Sequence, residues 1–324
     1  MKGTKWILAA AAVAALGIGM TAVAEEEAVQ VGSLKGPTSM GIVSMMQKAQ
    51  NGETDIPYEF TMVTAADELL AKVISGDVDI AMVPANVASV LYNKTEGKVR
   101  VIDVNTLGVL YVAESGESVQ SVKDLAGKTI YLTGKGTSPD YVLQYLLSEN
   151  GLTTEDVKLE YKSEATEVVS ALVQDETAIG LLPQPFVTVA CMQNENLRVA
   201  LDLTQEWENV QGEGGSSLLT GVTITREDFL AEHEDAVQDF LAEHEESAAY
   251  TNEHPEEASE LIAAQGIIEK APVAQKAIPY CNITCVAGDE MKTAVEGYLQ
   301  VLYDLDASSV GGALPAEDFY YLPQ

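Results

Sequence analysis

Hydrophobic and polar positions along residues 29–203 follow one pattern twice. Val29-Gln30-Val31-Gly32-Ser33-Leu34 and Thr129-Ile130-Tyr131-Leu132 read as strands. Each runs into a glycine-bearing loop, Lys35-Gly36-Pro37-Thr38-Ser39 or Thr133-Gly134-Lys135-Gly136-Thr137, that opens a helix. The first helix is expected from about Met40 to Asn51-Gly52. The second is expected from Ser138, a good N-cap residue followed by proline, to Asn150-Gly151, a pair suited to a left-handed C-terminal cap. Extended segments follow at Tyr58–Val63 and Lys158–Tyr161, then amphipathic helices at Asp67–Ser75 and Thr166–Gln174. Continuous apolar runs, Asp79–Val83 and Ala178–Leu182, read as buried strands that stop at Pro84 and Pro183. A further helix in each copy leads to a last strand, Val99–Val104 or Leu197–Leu203. Strands alternating with helices argue for an α/β architecture with parallel sheets.

The two copies superpose by number. Residues 31–90 slid forward by 99 positions fall on 130–189 without a gap, matching Thr38 to Thr137, Ser39 to Ser138, Ile80 to Ile179 and Pro84 to Pro183. A long repeat present only twice is not a solenoid. It predicts two similar lobes facing each other across a ligand cleft. Asn105-Thr106-Leu107 and Ser217–Thr223 are the expected crossings between them and the expected hinge. The chain beyond Arg226 has no counterpart in the repeat and is read as mostly helical, packing onto one lobe. Within it, Phe229–Glu234 recurs as Phe240–Glu245, a spacing of 11 that keeps one helical face, and Met291–Tyr303 is amphipathic.

The first 24 residues are set apart from the fold. Lys2 and Lys5, the apolar run Ile7–Ile18 and the small residues Ala22-Val23-Ala24 form the layout of a secretory signal peptide, with cleavage expected after Ala24. A lipid anchor would need a cysteine at the cleavage point, and none precedes Cys191. The expectation is an exported, periplasmic or extracellular protein. Loss of Lys2 and Lys5 leaves 16 basic against 50 acidic residues. Such a surface repels nucleic acid and anionic lipid. Three cysteines are too few for a disulfide scaffold. Cys281 and Cys285 are too far apart along a strand to bond, so a free or core thiol is expected.

The candidate chemistry is binding chemistry. A loop leaving a strand end and entering a helix offers free backbone N–H groups and a positive dipole end. The expected contacts are Lys35, Gly36, Pro37, Thr38 and Ser39 from the first loop, with Lys135, Gly136, Thr137 and Ser138 from the second. Asn86 and Gln184, just past the two prolines, offer amides, and Thr106 and Leu107 come from the first crossing. Tyr141, Phe186 and Trp207 are candidates to stack on a planar ring. Neither loop matches a nucleotide fingerprint. The histidines, His233, His244 and His254, lie in the acidic tail and are read as exposed. No catalytic residue, metal site or cofactor is expected.

Five segments together resemble the substrate-binding proteins of ABC importers. They are Lys35–Ser39, Gly76-Asp77-Val78-Asp79-Ile80-Ala81, Ser121-Val122-Lys123-Asp124-Leu125-Ala126-Gly127-Lys128, Leu182-Pro183-Gln184-Pro185-Phe186, and Asp202-Leu203-Thr204 with Trp207. The resemblance is to the nitrate/sulfonate/taurine-type proteins, which include binders of thiamine-pyrimidine precursors. It implies a two-lobed type II periplasmic-binding-protein fold with parallel or mixed sheets and a two-segment hinge. One lobe would hold residues 25–105 plus 222–324, the other 106–221. It further implies a monomer that captures a small polar or anionic/heteroaromatic solute and delivers it to an ABC transporter permease and its ATPase. The alternative it leaves is an enzyme of the same fold acting on a menaquinone or thiamine-pyrimidine intermediate. One departure bears on the ligand: the cleft loops carry no arginine, since the three arginines are Arg100, Arg198 and Arg226. That weakens the case for sulfate or a phosphate ester.

Overall fold

The computed structural model describes residues 27–212 and 215–323, so the proposed signal segment lies outside the described residues. The first lobe begins with β1 (Val29–Leu34), α1 (Pro37–Met40), α2 (Val43–Asn51) and β2 (Tyr58–Val63). It continues through α3 (Ala66–Ser75), β3 (Ile80–Pro84), α4 (Ala85–Lys94) and β4 (Val99–Leu107). The second lobe holds β5 (Leu110–Ser115), β6 (Thr129–Leu132), α5 (Ser138–Glu149), β7 (Lys158–Tyr161), α6 (Ala165–Gln174), β8 (Ile179–Pro183), α7 (Phe186–Gln193), β9 (Leu197–Asp202) and α8 (Leu203–Gln211). The chain returns to the first lobe with β10 (Leu219–Arg226). It then adds α9 (Glu227–Glu232), α10 (Glu234–Glu253), α11 (Pro255–Ala264), α12 (Ala271–Ala277), β11 (Ile283–Val286) and α13 (Gly288–Leu305).

Two mixed sheets result, with strand orders β11-β4-β10-β3-β1-β2 and β7-β6-β8-β5-β9. The numerical repeat is a structural one. Val31 pairs with Ile80 in the first sheet and Ile130 with Ile179 in the second, both in parallel. Of the parallel or mixed sheets expected, the mixed form is the one found: the strand arriving from the other lobe inserts antiparallel, β10 between β3 and β4 and β5 between β8 and β9, and β11 adds antiparallel on β4 at the edge of the first sheet. The proposed division of the chain into lobes has its crossings where β4 leaves the first sheet and β10 re-enters it.

Close helix-on-sheet packing explains two glycines. A Cβ on Gly32 of β1 would lie 2.5 Å from Leu69 Cδ1 of α3, and one on Gly180 of β8 would lie 2.8 Å from Leu172 Cδ1 of α6. In both lobes, then, a leucine of the equivalent helix occupies the space that a side chain on the strand would need.

Three local expectations change. The first helix starts at Pro37, with proline in its first turn, and breaks after Met40 before resuming at Val43. The tail crowds this break: a Cβ on Gly41 would sit 3.0 Å from Ile283 Cγ2 of β11 and 3.4 Å from His244 Nε2 of α10. The second helix starts at Ser138, so Thr137 occupies the cap position, and its hydroxyl donates to the Gly134 carbonyl at 2.6 Å. The 11-residue recurrence is split at His233 between α9 and α10, although Phe229 and Phe240 join one core cluster.

His244 corrects the reading of the histidines as exposed, because it is fully buried. Its Nδ1 lies 3.1 Å from Oδ2 of the equally buried Asp103. Asp103 Oδ1 accepts from Thr223 Oγ1 at 2.7 Å, and Asn105 Nδ2 donates to that same hydroxyl at 3.2 Å. The chain of bonds ends with Thr106 Oγ1 donating to Asn105 Oδ1 at 2.9 Å. It ties β4, β10 and α10 together beneath the crossing. Such a network stabilises only when its buried polar groups find partners. All three cysteines are free thiols, and Cys281 is buried in the core of α11, α12 and β11.

Gly32→Ala is expected to cost about 1–3 kcal/mol by overpacking against Leu69. The check is the urea midpoint at unchanged slope. Burial pushes the Cys281 thiol from 9.0 up to about 12 and the Tyr298 hydroxyl from 10.0 up to about 12. Both groups hold their protons more tightly in the folded chain. Their contribution is therefore complete below their ordinary values and falls as pH rises from about 9 toward 12. Urea midpoints measured at pH 7, 9 and 10.5 should decline across that window; a flat profile would contradict the burial assigned to these groups.

Candidate functional site

A cavity of about 540 Å³ lies between the lobes. Its position follows from the topology, because the carboxyl ends of β1, β3, β6 and β8 all point toward the junction, the usual ligand site of open α/β sheets. Two pairs of repeat-equivalent residues line it from opposite sides: Thr38 with Thr137, and Pro84 with Pro183. The first lobe adds Asn86, Val87 and Val90 from α4 and Ser308 and Ser309 from the turn after α13. The second lobe adds Val109, Leu110, Gly136, Ser138, Pro139, Tyr141 and Val142, while Leu218, Leu219 and Thr220 form the floor at the return crossing. A cavity of about 690 Å³ beside Ile74, Lys94 and Arg226 draws on the first lobe only. Another of about 670 Å³ lies between α7 and the α12 region, around Tyr111, Cys191, Lys276 and Tyr280.

Of the expected contacts, the structure brings Thr38, Asn86, Gly136, Thr137 and Ser138 to this one cavity. The others stand elsewhere. Lys35 and Lys135 are exposed, and Lys135 Nζ lies 5.4 Å from the centroid of the Tyr161 ring. Gly36 and Pro37 form the turn behind Thr38. Ser39 is buried, with its hydroxyl donating to the Leu34 carbonyl at 2.5 Å. Thr106 belongs to the buried network of β4, and Leu107 lines a separate recess with Val104 and Ser217. Gln184 faces the cavity of Tyr111 and Lys276, where its Oε1 accepts from Thr188 Oγ1 at 2.7 Å.

Of the three aromatic candidates, Tyr141 lines the cavity. Phe186 instead packs against the core of the second lobe. Trp207 is fully buried, its Nε1 donating to the Ser216 carbonyl at 2.9 Å. Its ring packs on Tyr145 and Tyr298, with centroids 4.5 and 5.8 Å away. It reports on the return crossing and cannot stack on a solute. The wall residues that the sequence left unmarked, above all Val87, Val90, Ser308 and Ser309, carry no local motif. The serines reach the cavity only because the chain turns back at Asp306, whose carboxylate accepts from Ser308 N–H at 2.9 Å.

Two polar contacts bridge the lobes at the cavity: Ser138 Oγ donates to Asn86 Oδ1 at 3.2 Å, and Tyr141 OH donates to Asp306 Oδ2 at 3.1 Å. Within the first lobe, Asn86 Nδ2 donates to the Ser309 carbonyl at 3.2 Å. Desolvation, then the bond to Asp306, raises the Tyr141 hydroxyl, while the Ser308 contacts first and Tyr141 after them lower the Asp306 carboxyl. On the other side of the junction Tyr111 OH donates to the Tyr280 carbonyl at 2.7 Å. At the first crossing Asn282 Nδ2 donates to the Gly108 carbonyl at 2.6 Å. A Cβ on Gly108 would lie 2.2 Å from Thr204 Oγ1 and 2.8 Å from Leu218 Cδ2, so the two crossings pass too closely for any side chain there.

Among the described residues, one group of His, Cys, Asp or Glu side chains has metal-like spacing. Asp103, His244 and Cys285 each place a donor atom within 4.8 Å of the others. None of the three lines the inter-lobe cavity. Burial, followed by the charges of Asp103 and Glu245, raises the Cys285 thiol far above its ordinary range, which keeps it protonated.

Residues 99–258 match the family model described as NMT1/THI5 like. Solved structures share the fold over nearly the whole chain. An ABC transporter protein from Parabacteroides distasonis is 23% identical, with a TM-score of 0.74, covering 92% of this chain and 99% of that one. The periplasmic aliphatic sulphonate binding protein SsuA from Escherichia coli is 17% identical, with a TM-score of 0.69 and coverage of 90% and 92%. The alkanesulfonate-binding protein SsuA from Xanthomonas axonopodis pv. citri, bound to MOPS, is 15% identical, with a TM-score of 0.64 and coverage of 92% and 99%. No curated protein matches the chain in sequence. The fold is thus the two-lobed periplasmic-binding type, and the resemblance to substrate-binding proteins of ABC importers is borne out.

Ser138→Ala removes the hydrogen bond to Asn86, a contribution of about 0.5–1.5 kcal/mol to the bridged arrangement of the lobes. The expected result is a shift toward a more open form, read as a larger radius of gyration in solution scattering. An unchanged radius and unchanged solute affinity would remove this contact from the closing interaction.

Proposed function

We propose that the chain is an extracytoplasmic solute-binding protein. It captures one small molecule between its lobes, closes about the two crossings and presents the solute to the permease and ATPase of an ABC importer, acting as a monomer without turnover. The observation that carries this reading is the cavity itself: equivalent residues of the two repeats meet across it, and the chain passes between the lobes at two crossings, β4 to β5 and α8 to β10. The names of the neighbours, which are transport binding proteins, support it. So does the wall chemistry, since no histidine, cysteine or carboxylate lines the cavity among the described residues. The enzyme alternative would need an acid, base or nucleophile there. Among the described residues no helix is long and apolar enough to cross a membrane.

Trp207 gives the test a reporter. It sits on α8, touches Ser216 of the return crossing and packs on Tyr298 of α13, so lobe movement should change its emission. Refolded, solute-free protein should show a saturable change in Trp207 emission together with a thermal shift. At a solute concentration of 100 times Kd the stabilisation should be about 2.7 kcal/mol. The solute should be recovered unchanged; its chemical conversion would replace the transport reading by the enzymatic one.

A further inference from the structure

We infer that the captured solute is uncharged, with an apolar body and a few hydrogen-bonding groups; this rests on the solute-capture reading above. The cavity wall holds no lysine, arginine, histidine or carboxylate among the described residues. Its polar groups are hydroxyls and the single carboxamide of Asn86. Burying an ion there would strip its hydration without supplying a counter-charge.

The feature that would ordinarily attract an anion is already occupied. The loop before α5 resembles an anion cradle, a glycine turn at the N-terminus of a 12-residue helix. Here the Gly136 N–H donates to Asp140 Oδ2 at 2.8 Å. Asp140 is buried, and its other oxygen accepts from Tyr161 OH and Gln144 Nε2, each at 2.8 Å. A carboxylate of the chain itself thus takes the place of an anionic ligand and repels a second one. The hydroxyls turn the same way: Thr137 Oγ1 donates to the Gly134 carbonyl at 2.6 Å and Thr38 Oγ1 to the Leu34 carbonyl at 3.3 Å. Both hydroxyls keep lone pairs, which suit a neutral N–H or O–H donor.

Among the described residues no lysine or arginine of the cleft loops compensates. Lys35 and Lys135 point to solvent or to Tyr161. The three arginines serve the lobes themselves, Arg198 on Glu114 at 2.7 Å, Arg226 on Asp79 at 3.1 Å and Arg100 on Glu227 at 3.3 Å. Cations gain nothing specific either, because the two carboxylates bonded to wall residues are already engaged: Asp140 accepts from Gly136, Tyr161 and Gln144, and Asp306 accepts from Tyr141 and Ser308.

The test compares near-isosteric probes of different charge at pH 7.5. They are benzamide, benzoate and benzylammonium, and uracil with orotate, each titrated into refolded, solute-free protein and read by Trp207 emission and thermal shift. At least one neutral probe should bind, with its charged partners at least tenfold weaker. Val87→Lys, which places a cation on the cavity wall, should gain at least tenfold for benzoate relative to benzamide. Binding of benzoate, orotate or benzylammonium as tightly as the neutral partner would overturn the inference and leave solute capture standing. So would a Val87→Lys variant that keeps the wild-type ratio while binding benzamide. Silence of wild type toward every probe, neutral and charged, would count against the capture reading as well.

Discussion

Each sheet of this protein has an internal strand delivered by the other lobe, and the rest of the structure depends on that exchange. β10 lies between β3 and β4, and β5 lies between β8 and β9. Neither lobe can complete its hydrogen-bonded sheet without chain that has crossed the junction. Backbone groups in a buried sheet must be paired, so the crossings are held in register by the ladders on either side. They also have to run side by side, which is why Gly108 has no room for a side chain against Thr204 and Leu218. The lobes are therefore joined by two chain crossings at one edge, and their facing surfaces meet elsewhere through side-chain contacts such as Ser138 with Asn86, Tyr141 with Asp306 and Tyr111 with the Tyr280 carbonyl.

The same exchange brings the strand ends together. Thr38 and Thr137 occupy equivalent places in two copies of one motif, and only the facing of the lobes makes them neighbours. Beneath the crossing, the fully buried Asp103 and His244, with Thr223 and Asn105, link the β4–β10 pair to α10. A polar network in that position helps fix strand register, since a slip of β4 against β10 would separate Asp103 and Asn105 from the Thr223 hydroxyl they share. The helical tail is thereby bound to the part of the sheet from which the crossings emerge.

Charge is distributed against the grain of the fold. The surface is strongly acidic, the arginines hold lobe edges together, and the cavity between the lobes is lined by valine, leucine, proline and hydroxyl groups. The helix end that might have supplied positive potential is satisfied internally by Asp140. Shared architecture with sulfonate-binding proteins thus says little about what this cavity accepts, because the fold sets where a ligand sits and the wall sets its chemistry.

What the sequence determined by itself was the repeat and the order of its elements. Spacing of apolar positions and the placement of Gly52, Gly151, Pro84 and Pro183 are local, covalent properties, and they specify strands, helix ends and the two-lobed plan. The approximate site followed from the same logic, since Thr38, Asn86, Gly136, Thr137 and Ser138 all sit at strand ends or helix starts. Tertiary structure alone decided the rest. Whether β5 and β10 insert antiparallel depends on partners far away in the chain. So does the burial of His244, an ordinary helical residue until β4 supplies Asp103. Gln184 and Leu107 were legible as strand-end residues, but each lines a different recess. Ser308, Ser309 and Val87 reached the cavity through packing of α4 and the turn after α13, for which no short-range signal exists. Side-chain direction and cavity charge arise from contacts between distant segments, and these form only when the lobes fold against each other.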